Sequence, residues 1–310
     1  MLVHGSNLSQ KEQSGDKYQD SVSKAYLAEI RAKYTAWHTA NTELVGPKSA
    51  PTATDRDIVA KRVQLLEDYK SFIDQQKYAE QFDSRSNLHS TVMEEFLYYL
   101  FRDLVADFGK RALIGKSHAF KDVFFVPPNY KEMTKRPWAS IEQKDHDFVI
   151  GVTVEALLRT QVQRTDDSPD FGQTTIDNTT QSDQSNVEKQ RFDVPAVVVE
   201  CKTYLDKTML EGSSRSAEEL KARNRNSIYI VVMEWLKLTE AVNLRKFKVD
   251  QIYVFRKQKN IDREFRFAAD YVKNPIDPDV VFHLFETVRT HLTSDWEGGI
   301  SFGLERGRLI

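Results

Sequence analysis

The residues best suited to chemistry close an apolar run, Val197-Val198-Val199-Glu200-Cys201-Lys202. Three valines predict a strand. Alternation along a strand puts Glu200 and Lys202 on one face and Cys201 on the other. Upstream, Asp147 opens a second apolar run, DFVIGV, at 147–152. If the two strands pair, Asp147 approaches Glu200. Two carboxylates and a backbone carbonyl then make the oxygen-rich site that Mg²⁺ favours. Such a site activates water and offsets charge at a reacting phosphate. An ammonium beside it, Lys202, orients the water or neutralises developing charge. The expected chemistry is phosphodiester hydrolysis, with Asp147, Glu200 and Lys202 catalytic and the two acids holding the metal.

Glu-x-Lys spacing alone carries little, because Glu219-Leu220-Lys221 repeats it inside a helical pattern. The competing account of 197–202 is a sheet edge with a solvated tip. Position, at the end of an apolar strand with an acid opening another, distinguishes Glu200 and Lys202. Asp145 shares a strand face with Asp147, and both remain candidates; Asp147 abuts the apolar run and is preferred. Glu94 and Glu95 open a helix ahead of these strands. On a helix whose apolar arc is Met93, Phe96, Leu97, Leu100 and Leu104, Glu94 falls on the arc's edge and Glu95 nearly opposite. Glu94 also fits a capping box with Thr91.

Lys207, Arg215, Lys221 and Arg223 follow the Glu-Cys-Lys strand and are candidate DNA contacts, Lys207 foremost. A solvated helix face is the usual alternative, and the same holds for Arg225. Lys135, Arg136 and Trp138 lie in a loop able to meet DNA, with simple packing as the competing account for the tryptophan. Lys144 and His146 flank Asp147, and His146 should face away from it and pack. Cys201 should pack in the core.

These residues need elements to position them. Residues 1–16 read as polar and loose. A helix is expected from about Asp16 to Glu43, with Val22, Tyr26, Leu27, Ile30 and Tyr34 as its stripe. Another is expected from about Arg56 to Tyr78 on Ile58, Val59, Val63, Leu66, Tyr69 and Ile73. A new unit opens near Asn87 with the helix carrying Glu94. β-prone runs follow at 122–126, 147–152, 194–200, 227–234 and 250–256, with helical patterns at Ser216–Arg223 and Pro278–Leu292. The fold class expected is α/β, a mixed central sheet flanked by helices, with a helical N-terminal region. Residues 1–86 form that region, for DNA recognition or subunit contacts, and 87–310 the domain with the site. A polar segment at 161–190 reads as an inserted loop or hairpin.

Composition sets outer limits. Apolar residues at 40% and charged residues at 29% suit a globular chain with a real core. The net charge of −2 neither requires nor excludes nucleic acid, which needs only a local basic groove. A single cysteine excludes an internal disulfide, and no histidine pattern suggests zinc. No phosphate-binding Gly-x-x-x-x-Gly-Lys-Ser/Thr loop is present. No signal-peptide core and no apolar run near the roughly 20 residues of a membrane span are visible, so a cytoplasmic location is expected.

The order of a helix with Glu94-Glu95, an acid opening a strand, then VVVECK and a helix resembles the PD-(D/E)xK nuclease superfamily. More narrowly, KDHDFVIG and VVVECKTYLDKTMLEGSSRSAEELKARN resemble the type II restriction endonucleases of the group that includes BbvCI. The resemblance covers roughly 85–260, with His146 standing where the superfamily loosely keeps a proline. It implies a restriction-endonuclease-like core, Mg²⁺ as cofactor and site-specific cleavage of double-stranded DNA in a prokaryotic cytoplasm. It further implies a homodimer or a related second nuclease subunit as partner, and a companion DNA methyltransferase. Asp147 and Glu200 would be the metal-binding acids and Lys202 the catalytic lysine; related nucleases often place a helical glutamate near the metal, which makes Glu94 a candidate third ligand, with the capping box as its competing role. A structure-specific repair or recombination nuclease, and an inert DNA-binding subunit, are the other readings.

Overall fold

The computed structural model describes residues 2–82, 88–135, 139–159, 187–260, 266–296 and 304–305. Five strands form one mixed sheet in the order β1-β2-β3-β4-β5. They are β1 (Ala112–Phe125), β2 (Ala139–Arg159), β3 (Val187–Leu205), β4 (Ile228–Leu236) and β5 (Gln251–Lys259), with the short helix α6 (Tyr130–Lys135) between β1 and β2. β1, β2 and β3 are antiparallel in sequence order, whereas β3, β4 and β5 run parallel. Parallel neighbours need crossovers, and α7 (Lys207–Arg223) supplies the one from β3 to β4.

The centre of the sheet is covered on both faces. Phe148, Ile150, Val197, Val199, Cys201, Ile230 and Val232 join the larger core with α5 (Ser90–Ala106) and α8 (Pro278–Thr293). Val149, Val198, Tyr229, Val231 and Met233 join a smaller core with Leu210, Ala217 and Leu220 of α7. This alternation is the period-2 consequence of the strand. It accounts for the near-continuous valine and isoleucine runs, since both faces need apolar cover.

The helices α1 (Val3–Glu12), α2 (Ser21–Glu43), α3 (Asp55–Ile73) and α4 (Gln76–Gln81) share the larger core. Buried ion pairs bolt α3 to the sheet, Lys70 to Glu234 at 2.6 Å and Arg256 to Glu67 at 2.8 Å. Among the described residues no helix is long and apolar enough to cross a membrane.

Several local expectations need correction. Most of the segment expected to be loose is helix α1, seated by Leu8 and His4, both fully buried. The next helix begins at Ser21, not near Asp16, because Asp20 accepts the Ser23 N–H at 2.8 Å as its cap. Val22 is exposed, and Trp37 continues the buried stripe of Leu27, Ile30 and Tyr34. The helix expected over 56–78 breaks after Ile73, where Gln75 turns extended and α4 restarts so that Tyr78 is buried. Helix α5 starts at Ser90, so Thr91 is inside it and no capping box with Glu94 forms. Of the polar segment 161–190, residues 161–186 lie outside the described residues. Val187–Gln190 are strand, paired with Ala156–Arg159. The run 122–126 supplies the outer end of β1, where Val123, Phe124 and Phe125 are exposed.

Candidate active site

The β2–β3 ladder ends at the pair Phe148 and Val199. Just beyond it the Asp147 carboxylate accepts the Cys201 N–H at 3.0 Å, replacing a backbone partner with a side chain. On β3, Lys202 Nζ lies 2.7 Å from Glu200 Oε1 and 3.9 Å from Asp147 Oδ2. One ammonium therefore reaches both acids. The expectation that Asp147, Glu200 and Lys202 converge holds geometrically. Cys201 turns the other way into the larger core, as strand alternation requires.

Glu200 is further held by β4, where the Tyr229 hydroxyl donates to its Oε2 at 2.5 Å. A phenol in a buried strand needs a polar partner, and here that partner is Glu200. Asp147 is the more open acid, its side chain 36% exposed against 19% for Glu200. It faces a cleft of about 570 Å³ with Glu94, Lys116, Lys202 and the polar face of α1. Glu200 itself does not line that cleft.

The electrostatics of the cleft are strained by like charges. Glu94 is raised to about 7 by burial and by the neighbouring Asp147 charge, only partly relieved by Lys116 and Lys202. Asp147 is also raised, first by burial and further by Glu200, against Lys202 and the Cys201 amide. Glu200 goes the other way. Burial would raise it, but Lys202 and the Tyr229 hydroxyl hold it below the usual carboxylate range. Lys202 is raised because Glu200 and Asp147 outweigh its own burial. His146 is buried, edge-on to Tyr229 at 6.0 Å, and lowered to about 4 by burial and by Lys144. It stands neutral and packs.

This arrangement fits a hard divalent cation. Glu94 has neither hydrogen bond nor ion pair among the described residues, yet it faces a second carboxylate. That pair lacks sufficient positive charge. The cleft offers carboxylate oxygens, the donors Mg²⁺ prefers, and the Cys201 thiol packs in the larger core. Among the described residues no three His, Cys, Asp or Glu side chains cluster as a ready-made metal site. Glu200, bonded to Tyr229 and Lys202, does not line the cleft with the other two acids, but one ammonium joins it to Asp147.

The remaining sequence candidates fall in different places. Asp145 is on the exposed hairpin, 2.6 Å from His118, and does not line the cleft. Lys207 opens α7 and is exposed, 3.8 Å from Glu211. Arg215 is exposed on the same helix. Lys221 and Arg223 end it, paired with Asp250 at 2.7 Å and Asp122 at 3.2 Å. At 1.5 Å per residue they lie about 20 Å from Lys207 along the axis. Lys144 bonds Ser216 and Glu219 at 2.7 and 3.1 Å. Arg136, Trp138 and the Lys135 side chain lie outside the described residues.

Three features of the cleft escape the sequence reading. Lys116 follows Gly115, whose φ of +125° lies in glycine territory, at an irregularity between β1 and β2. Positive φ after a strand run was the only available signal, and a glycine alone does not reveal it. Tyr229 looks like one more β-former in its strand. Helix α1 carries few apolar residues to announce it.

A five-stranded mixed sheet with helices on both faces and acids at the edge of its central strands is a restriction-endonuclease-like α/β fold. Residues 85–308 match the Bpu10I restriction endonuclease family, and the chain belongs to it, among the type II restriction endonucleases. The solved structure described as "native BbvCI A2B2 tetramer at low resolution" is similar over 95% of this chain and 98% of that one. Its TM-score is 0.67 at 19% identity, a likeness of fold. No curated protein matches the sequence.

Proposed function

We infer that this chain is a Mg²⁺-dependent nuclease subunit that hydrolyses DNA phosphodiesters in the cleft bounded by Glu94, Asp147 and Lys202. The observation that carries the reading is the Lys202 ammonium, in reach of both Glu200 and Asp147 at the mouth of a cleft that holds a further, unpaired acid. Asp147, Glu200 and Glu94 would hold the metal. When bound it supplies a lowered water pKa and charge stabilisation at the phosphate. The Cys201 amide fixes the Asp147 carboxylate. Tyr229 fixes Glu200. Lys202 stays charged between the acids and presents its free protons to the reacting phosphate oxygens. Lys116, which lines the cleft, and Lys207, at the start of α7, would be phosphate contacts. For Arg215, Lys221 and Arg223 the same role extends the contact surface along α7.

Each chain brings one such centre, so cutting both strands of a duplex takes two. We place the chain in a homodimer or beside a related second nuclease subunit, a reading supported by the A2B2 description of BbvCI. The system is prokaryotic and cytoplasmic, with a companion methyltransferase protecting host DNA. Residues 1–86 form a helical region for DNA or subunit contacts, ahead of a nuclease domain at 87–310.

The test is incubation of the chain, alone and with its candidate second subunit, with unmethylated plasmid and Mg²⁺, followed by sequencing of the ends. Fixed ends that disappear with Glu200→Ala support the reading. Cleavage that persists unchanged in that variant refutes it.

A further inference from the structure

Helix α1 has two faces of different chemistry. His4, Gly5, Leu8 and Lys11 are buried. The His4 and Gly5 N–H groups donate to the Glu95 carboxylate at 2.9 and 3.2 Å. The His4 ring bonds Thr91 at 2.9 Å and Tyr69 at 2.7 Å. Gly5 permits this seat, because a Cβ there would lie 2.3 Å from the Tyr34 hydroxyl oxygen. The helix is thus fixed to α5 through its backbone, with no slack for a larger residue.

The opposite face is Val3, Ser6, Asn7 and Gln10, spaced as one side of a helix. It lines the same cleft as Glu94, Asp147 and Lys202. Gln10 is exposed. Asn7 is half-buried, and its Oδ1 is shut off from solvent with no hydrogen-bond partner among the described residues. An acceptor closed off from solvent is not offered to DNA, so Asn7 shapes the wall without reading a base. The cations of the cleft, Lys116 and Lys202, suit phosphate. The exposed Gln10 carries a donor and an acceptor in one planar group, the pattern that pairs bidentately with a base edge such as adenine N6 and N7.

We propose that α1 is a DNA-reading wall of the cleft, and that the exposed Gln10 contacts a base edge beside the bond to be cut. This rests on the nuclease reading above and assigns part of its specificity. The experiment compares wild type with Gln10→Ala, each together with any second subunit that cleavage needs. A randomised duplex library is cleaved with Mg²⁺ and the ends sequenced. The same library is selected by binding in Ca²⁺, and each protein is melted.

The variant should melt with the wild type. It should lose preference at one or two positions of the site, with discrimination there reduced roughly 5- to 150-fold, the range of one bidentate base contact. An unchanged profile overturns the proposal. So does a uniform loss over all sequences with a shallower salt dependence, which marks backbone contact alone. A wild type that cuts nothing defeats the nuclease reading, while the Ca²⁺ binding profiles still decide the role of α1.

Discussion

Replacing Glu94 by glutamine should make the metal-free protein more stable and the metal-bound protein worse. Glu94 is raised from 4.5 to about 7 by burial and by Asp147. An acid raised on folding favours the folded state below its unfolded pKa and loses that contribution as pH rises through the folded value. The window is therefore pH 4.5 to 7, and above it Glu94 costs stability in full. A rise from 4.5 to about 7 corresponds to at most about 3.4 kcal/mol at 1.36 kcal/mol per unit. Solvent at the cleft mouth reduces that to about 2 kcal/mol. Asp147 is raised in the same direction and adds to the trend. In EDTA at pH 8, Glu94→Gln should gain about 2 kcal/mol in denaturant unfolding, and the gain should vanish near pH 5. Mg²⁺ or Ca²⁺ stabilises the folded form by mass action, and the variant should need at least about ten times more metal for the same rise in Tm. A variant no more stable than wild type at pH 8, or one with an unaltered metal response, would refute the like-charge account of this cleft.

Other outcomes follow from the same geometry. Lys202→Ala should lower the cleavage rate at least about 10³-fold while binding in Ca²⁺ holds within a few-fold; a modest rate loss would remove the lysine from the chemistry. Tyr229→Phe deletes a 2.5 Å bond to a charged acceptor, worth about 1.5–3 kcal/mol. Single-turnover cleavage should fall about 10- to 100-fold with DNA affinity retained, and an unchanged rate would mean that Glu200 needs no such support. Glu95→Ala orphans two backbone N–H groups and the Tyr34 and Tyr99 hydroxyls, all within 3.2 Å of the carboxylate. Unfolding in urea should show a loss of about 3–5 kcal/mol; under about 1 kcal/mol would show that α1 is not held this way.

Where apolar period and strand length coincide, the sequence is readable. The valines of β3 need cover on both faces, and the alternation that follows places Glu200, Cys201 and Lys202 with no further information. Asp147 is readable for the same reason, since Phe148 and Val149 pack on opposite cores and fix the register beside it. What decides Asp145 against Asp147 is long-range. Asp145 meets His118 across the hairpin, a pairing set by the register of β1 on β2. The Tyr229 bond to Glu200 spans two strands joined by a helix and has no local trace. The lysines and arginines of α7 share one helix and one period, so the pattern cannot say which end of that helix stands at the cleft.

Glu95 shows why the helical-wheel argument misleads at this site. The wheel assigns the side opposite the apolar arc to water, which made Glu95 look like the surface residue and put Glu94 at the arc's edge. Helix α5 has no such side, because the sheet covers one flank and α1, α2 and α3 cover the other. Glu95 therefore lies 1% exposed among His4, Tyr34 and Tyr99. A buried carboxylate persists there only because backbone and phenol donors surround it. Tyr99 is a turn away on α5 itself, but the other donors belong to α1 and α2, elements far away in sequence. Glu94, one residue earlier, is turned by about 100° and comes out where α1 ends its cover and the cleft begins. Two adjacent glutamates thus divide the work. Glu95 anchors the first helix of the chain, and that anchoring makes the wall of the cleft into which Glu94 points.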